Sequence, residues 1–122
     1  MTGVLCVAAG GAAGAVLRYL CTFIPIKTTF PFITLCVNFI GSFAIGFIMG
    51  FASEKKADES LILFLKVGLC GGFTTFSTFS LEVLNLFEQK DYLCAGIYAA
   101  ASFALCVLGV MLGKTASRHI FA

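Results

Sequence analysis

The sequence predicts an all-α membrane protein, a single domain over residues 1–122 with four transmembrane helices, the third of them broken. Three observations carry this. Composition is 60% hydrophobic and 11% charged, with mean hydropathy +1.04, whereas a soluble domain carries roughly a quarter charged residues. Residues 28–53 and 92–113 contain no charge, and each stretch exceeds what a helix needs to cross about 30 Å of hydrocarbon. The remaining apolar runs are interrupted: Thr2 to Leu17 ends at Arg18, and Leu61 to Phe87 contains Lys66 and Glu82.

In chain order the helices are expected at about 2–24, 30–52, 61–87 and 92–114. The first begins without a basic segment before it and reads as a retained span, not a secretory signal. Pro25 and Pro31 close the first helix and open the second without breaking either interior. The polar run Ser53 to Ser60 and the run Glu88 to Asp91 are the two remaining water-facing turns. Six cysteines fall in or beside apolar runs with no C-x-x-C spacing, so they read as small buried apolar residues and not as disulfides or a zinc site. Net charge of +2 is too even to imply nucleic-acid binding.

Orientation is weakly specified. Lys55, Lys56, Lys66, Lys114 and Arg118 lie on the side of the termini, against Arg18, Lys27 and Lys90 on the other. Lysine and arginine asymmetry normally sets topology by a clear excess. A small chain that inserts both ways can form an antiparallel homodimer about a two-fold axis in the membrane plane, which sets two copies of any midplane feature face to face.

The third span is a poor design for a plain membrane helix. It reads GLCGGFTTFSTFSLE from Gly68, with adjacent Gly71 and Gly72 and then five hydroxyls interleaved with two phenylalanines. Adjacent glycines weaken a helix, and a break is expected near residues 71–75. Non-helical backbone at that depth is tolerated only where protein or a watered cavity satisfies it. Freed carbonyls suit a cation, and two inverted copies supply a closed oxygen cage. Phe76 and Phe79 share one face that Glu82 continues, beside rows formed by Thr75 with Thr78 and by Thr74, Ser77 and Ser80. Hydroxyls replace hydration and aromatic edges carry partial positive charge, so the pattern points to an anion path. Asn38 places an amide deep in the second span, next to small Gly41 and Ser42, and Tyr98 with Ser102 extends a polar face in the fourth.

Three strings, GGAAGAVLRY (Gly10 to Tyr19), VNFIGSFAIG (Val37 to Gly46) and GGFTTFSTFSLE (Gly71 to Glu82), resemble the signature segments of the CrcB/Fluc family of bacterial fluoride channels. The resemblance implies a dual-topology homodimer with two antiparallel pores, passively exporting fluoride across the bacterial inner membrane to relieve its toxicity. It implies a structural Na+ at the dimer interface held by the main-chain carbonyls of Gly71 and Thr74. By the same resemblance Asn38, Phe76, Phe79, Ser77, Thr78, Tyr98 and Ser102 belong to the anion path, and Arg18 and Glu82 to a vestibule or structural role. The implied partners are fluoride, a second inverted copy and the bilayer.

Plainer readings stand beside these. The ridge Phe39, Phe43, Phe47, Phe51 is packing, the glycine pairs 10/14, 46/50 and 109/113 are helix contacts, and His119 is idle. Arg18 reads equally as a snorkelling interfacial residue. Among rival functions, a small dual-topology multidrug transporter needs an acid in its first span, and none is present. A non-transporting membrane scaffold has no use for a glycine-and-hydroxyl break at the midplane.

Overall fold

The computed structural model describes residues 1–122, helical throughout and without strands. Four helical stretches are long and apolar enough to cross a membrane: Thr2–Cys21, Phe32–Glu54, Glu59–Glu88 and Tyr92–Phe121. The first two are α1 (Thr2–Cys21) and α2 (Phe32–Glu54). The third is composite: α3 (Glu59–Ile62), a π-helical stretch over Leu63–Cys70, α4 (Gly71–Phe73), two extended residues, and α5 (Phe76–Glu88). The fourth is α6 (Tyr92–Phe121).

Helix ends follow local chemistry. α1 stops at Cys21 and not near residue 24: the Thr22 hydroxyl donates to the Tyr19 carbonyl at 2.6 Å, and Pro25 follows. Asp58 caps α3 by accepting from the Leu61 amide at 3.1 Å, and Asp91 caps α6 by accepting from Cys94 at 3.1 Å. Lys90, at φ 60°, makes the sharp turn between α5 and α6. α6 runs on to Phe121, past the expected end near 114. Ser117 is fully buried, and Phe121 packs edge-on against Phe47 and Phe51, with centroids 6.0 and 5.0 Å apart. Packing overrides the charged tail because Lys114 and Arg118 project from the exposed side.

The spans pack as two close pairs. α2 lies along α6 through Gly46, Gly50, Gly109 and Gly113, and α1 lies along the π-helical stretch and α4 through Gly10, Gly14, Gly68 and Gly72. A β-carbon at Gly113 would overlap the Phe43 carbonyl, and one at Gly14 would overlap the Leu69 carbonyl. Backbones therefore touch directly, as small-residue membrane seams allow. Where α5 meets α2 and α6, Leu35, Leu86, Ala95 and Tyr98 form a buried cluster against which Phe30, Phe79 and Val83 pack. Only 17 of 122 residues are buried, so most of the apolar surface is left for lipid or another chain.

Gly113→Leu is expected to destabilise the fold by about 1–3 kcal/mol through overpacking. At Gly96 a β-carbon would meet nothing within 4 Å, so Gly96→Ala is expected to be neutral or stabilising. Thermal unfolding in detergent compares the two.

Candidate functional site

The break lies one step beyond the glycine pair. Gly71 is helical at φ −64°, ψ −37°, whereas Thr74 at ψ 157° and Thr75 at φ −150°, ψ 118° are extended. Gly72 serves packing instead, sitting against the Gly11 backbone where any side chain would collide, whereas Gly71 is exposed. The two β-branched threonines accept extended backbone readily, and Thr75 then caps α5, its hydroxyl accepting from the Thr78 amide at 3.2 Å.

The fate of the freed backbone groups defines the site. The Thr75 amide, which in an unbroken helix would reach the Gly71 carbonyl, donates instead to Asn38 Oδ1 at 2.8 Å. Asn38 Nδ2 returns a bond to the Thr75 carbonyl at 3.0 Å. Arg18 Nε donates to the Gly72 carbonyl at 3.2 Å, so this cation reaches into the break from α1. Because the Thr78 amide is turned to the Thr75 hydroxyl and Thr75 to Asn38, the Gly71 and Thr74 carbonyls lose their usual helical donors. These are the two oxygens that the family resemblance assigns to a cation.

Beside the break is an open cavity of about 440 Å³ lined by Asn38, Gly71, Thr74, Thr75, Phe76, Phe79 and Ser102. No charged side chain is on its wall. The Ser102 hydroxyl is buried and has no partner. From there an aromatic run leads away: Phe76 to Phe79 at 5.4 Å, Phe79 to Tyr98 at 5.2 Å. At its end the Glu82 carboxylate accepts from Tyr98 at 2.6 Å and from Thr34 at 2.7 Å. Glu82 also faces a second cavity of about 380 Å³, lined by Thr28, Thr29, Asn85 and Gln89.

The structure thus gathers Asn38, Phe76, Phe79, Ser102, Tyr98 and Glu82 into one connected track. It does not bring every hydroxyl there. Ser77 and Thr78 cluster with the Thr75 hydroxyl, at 3.3 and 3.1 Å, away from the cavity wall. Thr74 and Ser80 donate to the carbonyls of Cys70 and Phe76, four residues back, at 2.9 Å each. The row of Thr75 and Thr78 holds together through that hydroxyl contact, but the row of Thr74, Ser77 and Ser80 does not: the break places Thr74 outside the helix that carries the other two. Arg18 lines neither cavity and works on backbone. Thr34 was missed by sequence reasoning, although it precedes Asn38 by one helical turn on α2 and so shares its face.

Asn38→Ala leaves the Thr75 amide and carbonyl without their partners, a cost of about 1–3 kcal/mol for each buried group. Asn38→Asp keeps the acceptor and loses the donor, so its stability should fall between alanine and wild type in the same denaturation assay. Equal stability of the three proteins would remove Asn38 from the clamp.

Residues 5–114 match the model of the family described as CrcB-like protein, Camphor Resistance (CrcB). Among curated relatives, a protein of Idiomarina loihiensis named fluoride-specific ion channel FluC is 44% identical over 86% of this chain and 84% of its own. A protein of the same name from Geobacter sulfurreducens is 42% identical over 98% of this chain and 100% of its own. Another of that name, from Shewanella putrefaciens, is 44% identical over 93% of this chain and 94% of its own. With its composite third span, the uncharged cavity beside its break and these matches in hand, the chain belongs to the CrcB family of multi-pass membrane proteins.

Proposed function

We propose that this protein is a fluoride-selective channel that passively exports fluoride across the bacterial inner membrane, assembled as an antiparallel, dual-topology homodimer. The observation that carries the reading is the uncharged cavity at the break, lined by Asn38, Phe76 and Phe79, with the buried and unpartnered Ser102 hydroxyl just behind its wall. Relatives named as fluoride-specific channels support the choice of ion.

Conduction of a strongly hydrated anion asks for many modest donors and no tight site. The Asn38 amide and the aromatic hydrogens of Phe76 and Phe79, which line the cavity, supply such donors. The Asn38 amide group is already pinned to Thr75 through one of its hydrogens. That bond fixes the group's orientation and leaves its second hydrogen to the cavity. Tyr98 and Thr34 carry hydroxyl hydrogens that rest on Glu82 between ions. The carboxylate keeps two donors oriented while itself remaining paired, which lowers its cost in lipid.

A structural Na+ at the dimer interface fits the donor set. Neutral carbonyl oxygens suit a hard monovalent cation, and the chain has no cluster of His, Cys, Asp and Glu to hold a softer or more highly charged metal. Gly71 is exposed, with nothing within 4 Å of a β-carbon position, so a second copy has room to approach its carbonyl. One chain offers the Gly71 and Thr74 oxygens, and an inverted copy doubles them. Phe76 is 79% exposed in the single chain, although it stands at the middle of the membrane beside the break, which supports a partner on that face. When bound, the ion supplies positive charge that ties the two breaks together; positioning of the anion donors is the work of Asn38, Tyr98 and the phenylalanines.

Purified protein in liposomes loaded with fluoride tests the reading. A fluoride electrode is expected to record efflux under an outward gradient, with no chloride release, and absence of fluoride efflux would end the proposal. Phe76→Ile is expected to lower the rate roughly tenfold, since it removes a ring edge but little volume. Replacing Na+ by a bulky organic cation throughout should abolish efflux and shift the protein from dimer to monomer on size exclusion.

A further inference from the structure

We infer that Arg18 is a positioning residue for the cation site: its Nε hydrogen, held on the Gly72 carbonyl, fixes the peptide next to the Gly71 oxygen and keeps a competing oxygen occupied. The inference rests on the interfacial Na+ proposed for the dimer.

The two oxygens offered to that ion are held unequally. Thr74 secures its own: its amide donates to the Cys70 carbonyl at 3.0 Å, and its hydroxyl donates to the same carbonyl at 2.9 Å. The Thr74 methyl group also fills the space that a β-carbon at Gly41 would need. Gly71 has no such hold. It carries no side chain, meets nothing within 4 Å of a β-carbon position, and is followed by a second glycine that adds no side-chain constraint. In an unbroken helix the Gly72 carbonyl would take the Phe76 amide, but Phe76 opens α5 beyond two extended residues. Arg18 Nε donates to that carbonyl instead, at 3.2 Å.

The packing of α1 delivers this donor. Gly10, Gly14 and Arg18 follow one another at spacing four and form one row on the helix. The glycines of the row press on the backbone of the third span, and a β-carbon at Gly14 would lie 3.1 Å from the Gly72 carbonyl carbon. One turn later the row brings the half-buried Arg18 to the same peptide. Only its innermost nitrogen bonds this chain; the two Nη groups do not. A residue kept for its charge works through the whole guanidinium, whereas a residue kept for position works through the one N–H whose reach the backbone sets. Held this way, the Gly72 oxygen is withdrawn from the freed carbonyls that a cation can gather, and Gly71 and Thr74 are left to face it.

Glutamine and methionine separate position from charge. The glutamine Nε2 lies as many bonds from the backbone as the arginine Nε, whereas methionine keeps the length and offers no donor. Each protein is prepared in a bulky organic cation, and its dimer fraction is titrated with Na+ on size exclusion. Arg18→Met is expected to raise the Na+ midpoint roughly tenfold, and Arg18→Gln to stay within about threefold of wild type. An unmoved midpoint in Arg18→Met overturns the inference. So does a roughly tenfold shift in Arg18→Gln, which assigns the effect to charge and decides the matter even where Arg18→Met gives no dimer at any Na+ concentration. Unfolding temperature at saturating Na+ is the control, and a fall there with an unmoved midpoint reduces Arg18 to packing. A wild-type dimer indifferent to Na+ removes the cation site and the inference with it, and fluoride efflux from the same protein then shows whether the channel reading stands. Wild type that dimerises with Na+ but passes no fluoride sinks the channel reading and leaves the titration to judge Arg18 alone.

Discussion

Everything in this fold answers to one requirement: backbone amides and carbonyls released in the middle of a bilayer must find partners inside the protein. The reciprocal pair between the Asn38 amide group and the Thr75 backbone is the main answer. It lets the third span change direction without exposing either group to lipid, and it leaves two carbonyls in reserve. Each neighbouring feature supports it. Glycine seams bring α1 close enough for Arg18 to reach Gly72, and α2 is fixed along α6 so that Asn38 stands at the right depth.

The same clamp separates two kinds of chemistry. On one side of Thr75 the freed oxygens present partial negative charge, and on the other the start of α5 presents unpaired amides and donor hydroxyls. No formally charged side chain stands on the cavity wall beside them. Glu82 and Arg18, the charges nearest the break, are both committed to hydrogen bonds with this chain's own groups. Their presence shapes the field without placing a fixed ion in the path.

How far the sequence foretold this varies by element. The uncharged runs at 28–53 and 92–113 left no choice about α2 and α6, because length and hydropathy alone decide a membrane span. The break was legible from Gly71, Gly72 and the hydroxyl cluster, and it falls at Thr74 and Thr75, inside the expected 71–75; that the threonines and not the glycines take the extended backbone was not legible. Glycine signals both flexibility and close approach, and which of these operates depends on α1, a neighbour the local sequence does not name. The π-helical stretch was not legible either, since nothing in the residue types of Leu63–Cys70 distinguishes a wide turn from an α-helical one. Among site residues, Asn38 stood out because an amide in an apolar run needs a partner. Thr34 did not, because a threonine in a helix ordinarily bonds its own backbone, and only the fold brings Glu82 opposite it.

The length of α6 carries a mechanical consequence. Thirty residues span about 45 Å, against about 30 Å of acyl chain, and α6 is seamed to α2 along its glycines. The surplus emerges as a rigid stub, tethered by Phe121 and bearing Lys114 and Arg118 one turn apart. When the bilayer thins or thickens, the lipid boundary slides along this ready-made ruler. Mismatch is then absorbed at the rim, by headgroups and lysine stems, and the delicate middle of the molecule is shielded from it.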